Sequence, residues 1–190
     1  MARHRSAARH IRQAALRHSH TDLMNRPTTS PRQALERLRD LCGRSEHCTA
    51  EIARKLYTWG IGSSDSDKII RLLKRDRYID DRRFTSAFVR DKFIFNHWGR
   101  LKIRAALAAK RIDRDMADSI IDEEISPEAY ENSLIALLRT RSRAINADPA
   151  DYDSLTRLIR FALSRGYESA AAIRAVKSPR LWDDDGDSPL

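Results

Sequence analysis

Three carboxylates near the middle of the sequence, Asp76, Asp80 and Asp81, are candidates for binding a hard cation such as Mg²⁺. Clustered carboxylates are the ligands that such ions prefer. However, adjacent aspartates at the start of a helix point in different directions, and Arg82 and Arg83 would repel a cation. A carboxylate at a helix N-terminus also accepts hydrogen bonds from free backbone N–H groups and interacts favourably with the helix dipole. We therefore predict that Asp80 or Asp81 caps a helix and that no metal is bound.

The other candidates for chemistry are two cysteines and two serines. Cys42 and Cys48 lie six residues apart beside His47 and have no second pair, whereas a structural zinc site needs four ligands at tighter spacing. We predict two reduced thiols. Ser63 and Ser64 lack any nucleophile motif, and the sequence contains no HExxH, GxxxxGK[ST], GxGxxG or GxSxG pattern. These observations predict a protein that is not an enzyme and needs no cofactor.

The 190-residue chain is strongly basic, with 36 Lys and Arg against 27 Asp and Glu and a formal net charge of +9. Such a charge attracts polyanions, which include nucleic acid, an acidic protein face and anionic lipid. Hydrophobic residues make up 41% of the chain and charged residues 33%, which favours many short helices with narrow buried faces. No run approaches 18 apolar residues, so we predict no membrane span and expect a cytoplasmic protein.

The run from Tyr78 to Ile112 predicts two helices separated by a turn at His97-Trp98-Gly99. In the second of them, Ile103 and Leu107 occupy the predicted buried face. Asp91 falls on the apolar face of the first helix, so we predict that it pairs with an arginine or caps a neighbouring helix. That apolar face is defined by residues at i, i+3, i+4 and i+11, which are Phe84, Ala87, Phe88 and Phe95.

The pattern of the second helix recurs along the chain, at intervals of 51 residues (52 to 103) and 55 residues (103 to 158). The three matching sets are Ile52, Leu56 and Ile61; Ile103, Leu107 and Ile112; and Leu158, Ala162 and Tyr167. A nearly fixed period of this size indicates tandem helical units. We predict an all-α protein, an elongated curved array of three tandem three-helix repeats. The predicted boundaries are 1–29 for a flexible basic arm, 30–78, 79–125 and 126–178 for the repeats, and 179–190 for a disordered acidic tail.

The basic arm has no acidic residue before Asp22 and lacks the apolar segment of a secretory signal. A mitochondrial transit peptide would also be rich in arginine and poor in acids, so that interpretation stays open.

An ordered set of residues in the middle of the chain is similar to a known family. It consists of Tyr78-Ile79-Asp80-Asp81, Phe84, Ala87-Phe88-Val89-Arg90, Gly99-Arg100, Ile103, Leu107 and Lys110-Arg111-Ile112. This set resembles the RecX family of bacterial recombinase regulators, which usually has glycine where Arg111 stands. The resemblance covers roughly residues 32–177. It implies a regulator, mainly an inhibitor, that binds along the groove of a RecA–DNA filament and modulates ATP hydrolysis, strand exchange and repressor cleavage in the SOS response.

Basic residues of the first two predicted repeats are the expected contacts with this filament. Arg100, Arg104 and Arg111 lie within about 40° of one another on one helix flank, and unpaired guanidinium groups are too costly to bury. They therefore face water or a partner, and a solvated flank remains the alternative interpretation. The full set of predicted contact residues is Arg54, Lys55, Arg82, Arg83, Arg90, Lys92, Arg100, Lys102, Arg104 and Arg111.

Contact with single- or double-stranded DNA is expected mainly through phosphates, because the sequence shows no base-reading motif. Tyr57, Trp59 and Trp98 are candidates for stacking on bases, with core packing as the alternative for Trp59. We expect a monomer that does not bind membranes. An independent helical DNA-binding protein, helix-turn-helix-like or architectural, is the competing hypothesis, since helix triplets closed by Gly60 or Gly166 resemble that motif. A scaffold for another acidic protein is a third.

Overall fold

The computed structural model describes residues 29–183, and every regular element in that range is an α-helix. The predictions made for residues 1–28 and 184–190 lie outside the described residues. The described helices are α1 (Pro31–Arg44), α2 (Thr49–Thr58), α3 (Ser63–Arg75), α4 (Asp81–Ile94), α5 (Arg100–Ala109), α6 (Arg114–Glu124), α7 (Pro127–Ala144), α8 (Tyr152–Ser164), α9 (Ser169–Val176) and α10 (Pro179–Trp182). The predicted all-α fold class is confirmed.

The helices pack mainly within consecutive groups of three. α1 and α2 both contact α3; α4, α5 and α6 contact one another; and α7, α8 and α9 contact one another, with α10 packed on α7. The sequence predicted a disordered tail from residue 179, but 179–182 form α10. Leu181 is buried there, and the Trp182 indole N–H donates to the Val176 carbonyl at 2.9 Å. The burial of Leu181, two residues after Pro179, accounts for the difference between the predicted and the observed structure of this segment.

The buried side chains form two clusters. One lies within α1–α3 and contains Ala34, Leu38, Ile52, Leu56, Ile61, Ile69, Leu73 and Ile79. The other runs from α4 to α10 without interruption, so the second and third groups share a core. All nine positions that defined the sequence repeat are buried, from Ile52 to Tyr167. The period of the sequence therefore reports the packing of α2, α5 and α8.

The buried face of α4 differs from the predicted one. It consists of Phe84, Thr85, Val89 and Phe93, whereas Ala87 and Phe88 are half-buried. Phe95 is 76% exposed, because α4 ends at Ile94 and the helical period no longer applies. Asp91 is exposed and pairs with Lys92 at 2.6 Å, so it is not a buried carboxylate. Phe93 stacks on Tyr130 of α7 at 6.4 Å between ring centroids, which turns this face toward the shared core.

Two adjacent aspartates cap two different helices. Asp80 accepts hydrogen bonds from the backbone N–H groups of Arg82 and Arg83 and caps α4. Asp81 instead accepts from the backbone N–H and the hydroxyl of Thr49, at 2.7 and 2.6 Å, and so caps α2 of the preceding group. The N-cap position of α2 is occupied by Cys48, whose side chain makes no capping hydrogen bond. A carboxylate from the next helix group supplies the missing acceptor.

Candidate functional site

Six of the ten predicted contact residues form ion pairs with carboxylates of the chain itself. The pairs are Arg82–Glu123, Arg83–Glu46, Arg90–Glu124, Lys92–Asp91, Arg100–Asp122 and Arg104–Asp118. The other four, Arg54, Lys55, Lys102 and Arg111, have no carboxylate partner among the described residues. The sequence shows where the charges lie but not which carboxylates of the folded chain pair with them.

The three arginines predicted to share one flank of α5 do not do so, because α5 ends at Ala109 and Arg111 lies beyond the C-cap residue Lys110. Arg104 pairs with Asp118 of α6 at 2.5 Å. Arg100 donates to the Ile125 carbonyl at 2.7 Å and lies 4.9 Å above the Tyr130 ring. Arg111, in contrast, is exposed and unpaired. The structure thus leaves Arg111 as the one member of this trio whose charge is available without breaking an internal contact.

Hydrogen bonds and ion pairs fix α2 against α4 and α5. Burial raises the pKa of Asp81, but the hydrogen bonds from Thr49 and Lys74 outweigh burial and lower the pKa of this carboxyl overall. Glu51 behaves in the same way, because hydrogen bonds from Lys110 and His47 overcome the effect of burial and lower its pKa. Both carboxylates are therefore charged near neutral pH and hold two helix groups in register.

A cleft of about 720 Å³ lies between α2 and α5. Four small side chains line it, Ala50, Ala53, Ala106 and Ala109, and we call them its floor; Glu51, which pairs with Lys110, also lines the cleft. Its rim carries Arg54, Lys110, Arg111 and Tyr57, and the Tyr57 side chain is 83% exposed. We call this feature the α2–α5 cleft. An alanine floor lets a partner's backbone approach closely, and the free guanidinium groups can form paired hydrogen bonds with its carboxylates or phosphates.

The candidate stacking residues have different environments. Trp59 is half-buried and packs against the core of α1–α3, in agreement with the core interpretation. Trp98 is half-buried against the second core, and the Nζ atoms of Lys92 and Lys102 lie 5.8 and 4.8 Å from its ring centre. Tyr57 lies at the rim of the α2–α5 cleft. Of the three rings, Tyr57 and Trp98 remain next to cations that a polyanion would contact.

Within residues 29–183 no group of three or more His, Cys, Asp or Glu side chains is arranged to hold a metal ion. Cys42 and Cys48 are free thiols, and burial raises the pKa of both. In that same part of the chain, no helix is both long and apolar enough to cross a membrane.

Known proteins with similar sequences and structures point to one family. The family model described as "RecX, second three-helix domain" matches residues 80–120, which span α4, α5 and part of α6. The "Regulatory protein RecX" of Clostridium botulinum (strain Eklund 17B / Type B) is 30% identical over 121 residues, covering 62% of this chain but only 54% of that protein. That of Vibrio parahaemolyticus is 27% identical over 141 residues, which is 74% of this chain and 86% of that protein. The crystal structure of RecX from Lactobacillus salivarius has the same fold, with a TM-score of 0.70 at 16% identity over 77% of this chain and 94% of that one.

Proposed function

The chain belongs to the RecX family of regulatory proteins, and we propose that it regulates the RecA recombinase, mainly as an inhibitor, by docking along the groove of the RecA–DNA filament. In this proposal it modulates ATP hydrolysis, strand exchange and SOS repressor cleavage without catalysing a reaction itself. The observation that supports it most is the α2–α5 cleft, where Arg54 and Arg111 have no carboxylate partner within residues 29–183.

Free charges on the cleft rim favour docking to an acidic surface of the filament. A paired arginine must give up an internal partner before it binds a new one, whereas Arg54 and Arg111 lose only water. Complementary charge also raises the rate of encounter and orients the two surfaces. The binding energy is then shared between the small-residue floor, the exposed Tyr57 ring and the two guanidinium groups.

The remaining parts of the proposal follow from the same surface. DNA in the filament is contacted mainly through its phosphates, so binding weakens as salt is added. The regulator acts in the cytoplasm as a monomer and needs no cofactor. Lys55, close to Arg54 on α2, adds to the positive field beside the cleft.

The proposal is tested with the double variant Arg54→Glu/Arg111→Glu in a titration of RecA ATPase activity on single-stranded DNA. We expect the concentration for half-maximal inhibition to rise at least about tenfold, equivalent to about 1.4 kcal/mol of binding energy. The matched control is Arg71→Glu/Lys177→Glu, which changes the net charge equally at exposed unpaired positions outside the cleft. Circular dichroism of both variants verifies that the helices are intact.

Equal inhibition by the wild-type protein and the cleft variant would remove the α2–α5 cleft from the interface. A protein that leaves RecA ATPase unchanged, and instead retains a preferred duplex site at high salt, would be an independent DNA-binding protein. A protein that does neither would fit the third hypothesis, a scaffold for a different acidic partner.

A further inference from the structure

A series of contacts between cations and aromatic rings begins at the edge of the α2–α5 cleft and crosses α4 and α5. The Nζ atom of Lys110 lies 5.5 Å from the centre of the Phe88 ring. The Nζ atom of Lys92 lies 5.4 Å from the same ring and 5.8 Å from that of Trp98. The Nζ atom of Lys102 then lies 4.8 Å from the Trp98 ring. Cations and rings therefore alternate along this surface.

The series continues onto α8 in the next helix group. Lys102 donates to the Ser164 carbonyl at 3.4 Å, and the Ser164 hydroxyl donates to the Phe161 carbonyl at 2.7 Å. The guanidinium groups of Arg141 and Arg165 lie 5.2 and 5.5 Å from the centre of the Phe161 ring. We call the whole series the cation–aromatic track; its residues are Phe88, Lys92, Trp98, Lys102, Arg141, Phe161 and Arg165.

The far end of the track opens into a groove of about 540 Å³ between α7 and α8. Arg141, Arg165 and His97 line this groove, and no acidic side chain does so in the described part of the chain. Neither arginine forms an ion pair with a carboxylate of residues 29–183. Elsewhere in the series, two cations pair with carboxylates of residues 29–183: Lys92 with Asp91, and Lys110, where the series begins, with Glu51. This surface therefore carries more cations than carboxylates, and the described lining of the groove contains no acidic side chain.

The chemistry of the track matches that of an unpaired nucleic-acid strand. Bases with free faces stack on aromatic rings and on planar guanidinium groups, while phosphates bind the neighbouring cations. Lysine side chains are flexible, so Lys92 and Lys102 can move from the Trp98 ring to a phosphate while a base takes their place. A duplex keeps its bases stacked inside and can use only the cations. An acidic protein would likewise leave the rings unused.

We propose that the cation–aromatic track binds single-stranded nucleic acid, with the α7–α8 groove receiving an unpaired base against Phe161, Arg141 and Arg165. The proposal deepens the function proposed above, because the strand in question is the one that the recombinase filament carries. It adds a second contact that is separate from the α2–α5 cleft. The regulator then binds RecA through the cleft and the DNA strand through the track. Binding at one of these contacts therefore strengthens binding at the other.

Binding is measured without RecA, by fluorescence anisotropy of a labelled oligodeoxythymidine of about 20 nucleotides. Two double variants test the two parts of the track: Arg141→Gln/Arg165→Gln removes cations, and Trp98→Leu/Phe161→Leu replaces aromatic rings with apolar side chains. Each is expected to raise the Kd about tenfold, since stacking and phosphate contacts are lost. The arginine pair should also reduce the slope of log affinity against log salt by about 0.7 per lost phosphate contact.

The matched control, Arg71→Gln/Lys177→Gln, removes the same charge off the track and should bind like the wild-type protein. Thermal melts verify that the variants are folded; if the ring variant is not, the arginine pair decides alone. Unchanged binding of the strand by a folded track variant overturns the proposal. So does an equal loss of affinity for duplex DNA or for poly-L-glutamate, which would show a surface that selects charge only.

The two proposals fail in different ways. Suppose that the track variants lose strand binding but still inhibit RecA through the intact cleft when RecA is saturated with single-stranded DNA. Both proposals are then supported. If strand binding is unaffected by the track variants while the cleft variant loses inhibition, the proposal for the track fails and the function proposed from the cleft remains.

Discussion

The backbone of Gly99 lies directly against that of Gly166, so the start of α5 is locked to the end of α8. The Gly99 N–H donates to the Arg165 carbonyl at 2.8 Å, and the Leu101 N–H donates to the Gly166 carbonyl at 3.0 Å. A Cβ atom on Gly99 would lie 2.3 Å from the carbonyl carbon of Gly166, and one on Gly166 would lie 2.3 Å from the Cβ of Lys102. Only glycine fits at both positions of this junction between two helix groups.

Replacing Gly99 with alanine is expected to lower the free energy of unfolding by about 1–3 kcal/mol, because backbone atoms must move apart to admit the methyl group. Urea denaturation measures the change. Gly62 provides a matched control: it is also an N-cap residue with extended backbone, and a Cβ there meets nothing within 4 Å. Gly62→Ala should change stability by less than about 0.5 kcal/mol. Similar losses in the two variants would contradict the close approach.

A second prediction concerns Arg111, which follows α5 at the position where the equivalent residues after α2 and α8 are Gly60 and Gly166. All three have positive φ, +57° for Arg111 against +75° and +85° for the glycines. A side chain with a Cβ is strained in this region, whereas glycine is not. Arg111→Gly is therefore expected to raise the free energy of unfolding by about 0.5–1 kcal/mol, less whatever the unfolded chain gains in entropy.

The control for this prediction is Lys177→Gly, at an exposed helix end where φ is −90°. Glycine relieves no backbone strain at this position and only raises the conformational entropy of the unfolded chain, so the free energy of unfolding should fall slightly. Thermal melts at one protein concentration compare the two variants. A lower melting temperature for Arg111→Gly would show that the left-handed backbone at this position is not strained.

The pH dependence of stability should report the bond between Asp81 and Thr49. The pKa of Asp81 is lower in the folded protein than in the unfolded chain, so its stabilisation is complete above the unfolded value of about 3.9. It is lost as the pH falls through the folded value. Asp81→Asn should therefore cost about 1–2 kcal/mol near pH 7, and this difference from wild type should shrink as the pH falls below about 4.

Chemical denaturation at pH 7, pH 5 and about pH 3 checks this sign. Asp113, which caps α6 within its own helix group, gives a comparison through Asp113→Asn. That variant should change stability little, because asparagine caps a helix about as well as aspartate, and it leaves the contact between α2 and α4 unaltered. A difference between Asp81→Asn and wild type that grows toward acid pH would be incompatible with the lowered pKa.

The sequence period was enough to predict the fold and the positions of the repeated core. Hydrophobic side chains that recur at a fixed spacing lie on one face of each helix, and that face is buried. The burial of Ile52, Ile103 and Leu158 could therefore be predicted. The junctions between helix groups could not be predicted, because they depend on which helix ends meet in the folded chain. Nothing in the spacing of Gly99 and Gly166 shows that their backbones touch. The sequence predicted that Asp80 or Asp81 caps a helix, but not that Asp81 caps α2.

The sequence predicted the kind of candidate site, a basic binding surface, but not which basic residues are available to form it. The excess of positive charge predicted a surface for polyanions, and Arg54 and Arg111 have no carboxylate partner within residues 29–183. Six other predicted contacts are paired inside the chain. Lys92 pairs with its neighbour Asp91, and the other five pair with acids of α6 or of the loop before α2 that approach them only in three dimensions. The groove at Phe161 was missed because its arginines lie on two helices, α7 and α8.

The last prediction separates structural arginines from free ones. Arg104→Glu removes the ion pair with Asp118 and places two like charges together, so we expect a loss of about 0.5–1 kcal/mol in the free energy of unfolding. The side chains are 38% and 34% exposed, which keeps the effect modest. Arg54→Glu should leave stability unchanged, because Arg54 has no partner in residues 29–183.

The reciprocal variant Arg104→Asp/Asp118→Arg restores opposite charges at this pair. It also puts a positive charge at position 118 beside Arg114, which lies 3.8 Å from Asp118 in the wild-type protein, so it should recover part of the stability that Arg104→Glu loses. It also moves the positive charge from α5 to α6 without changing the net charge. RecA inhibition by this stable variant then shows whether the position of the Arg104 charge matters to the partner. Inhibition equal to wild type would assign Arg104 to the packing of α5 on α6, whereas a loss of inhibition with stability intact would place it in the interface alongside Arg111.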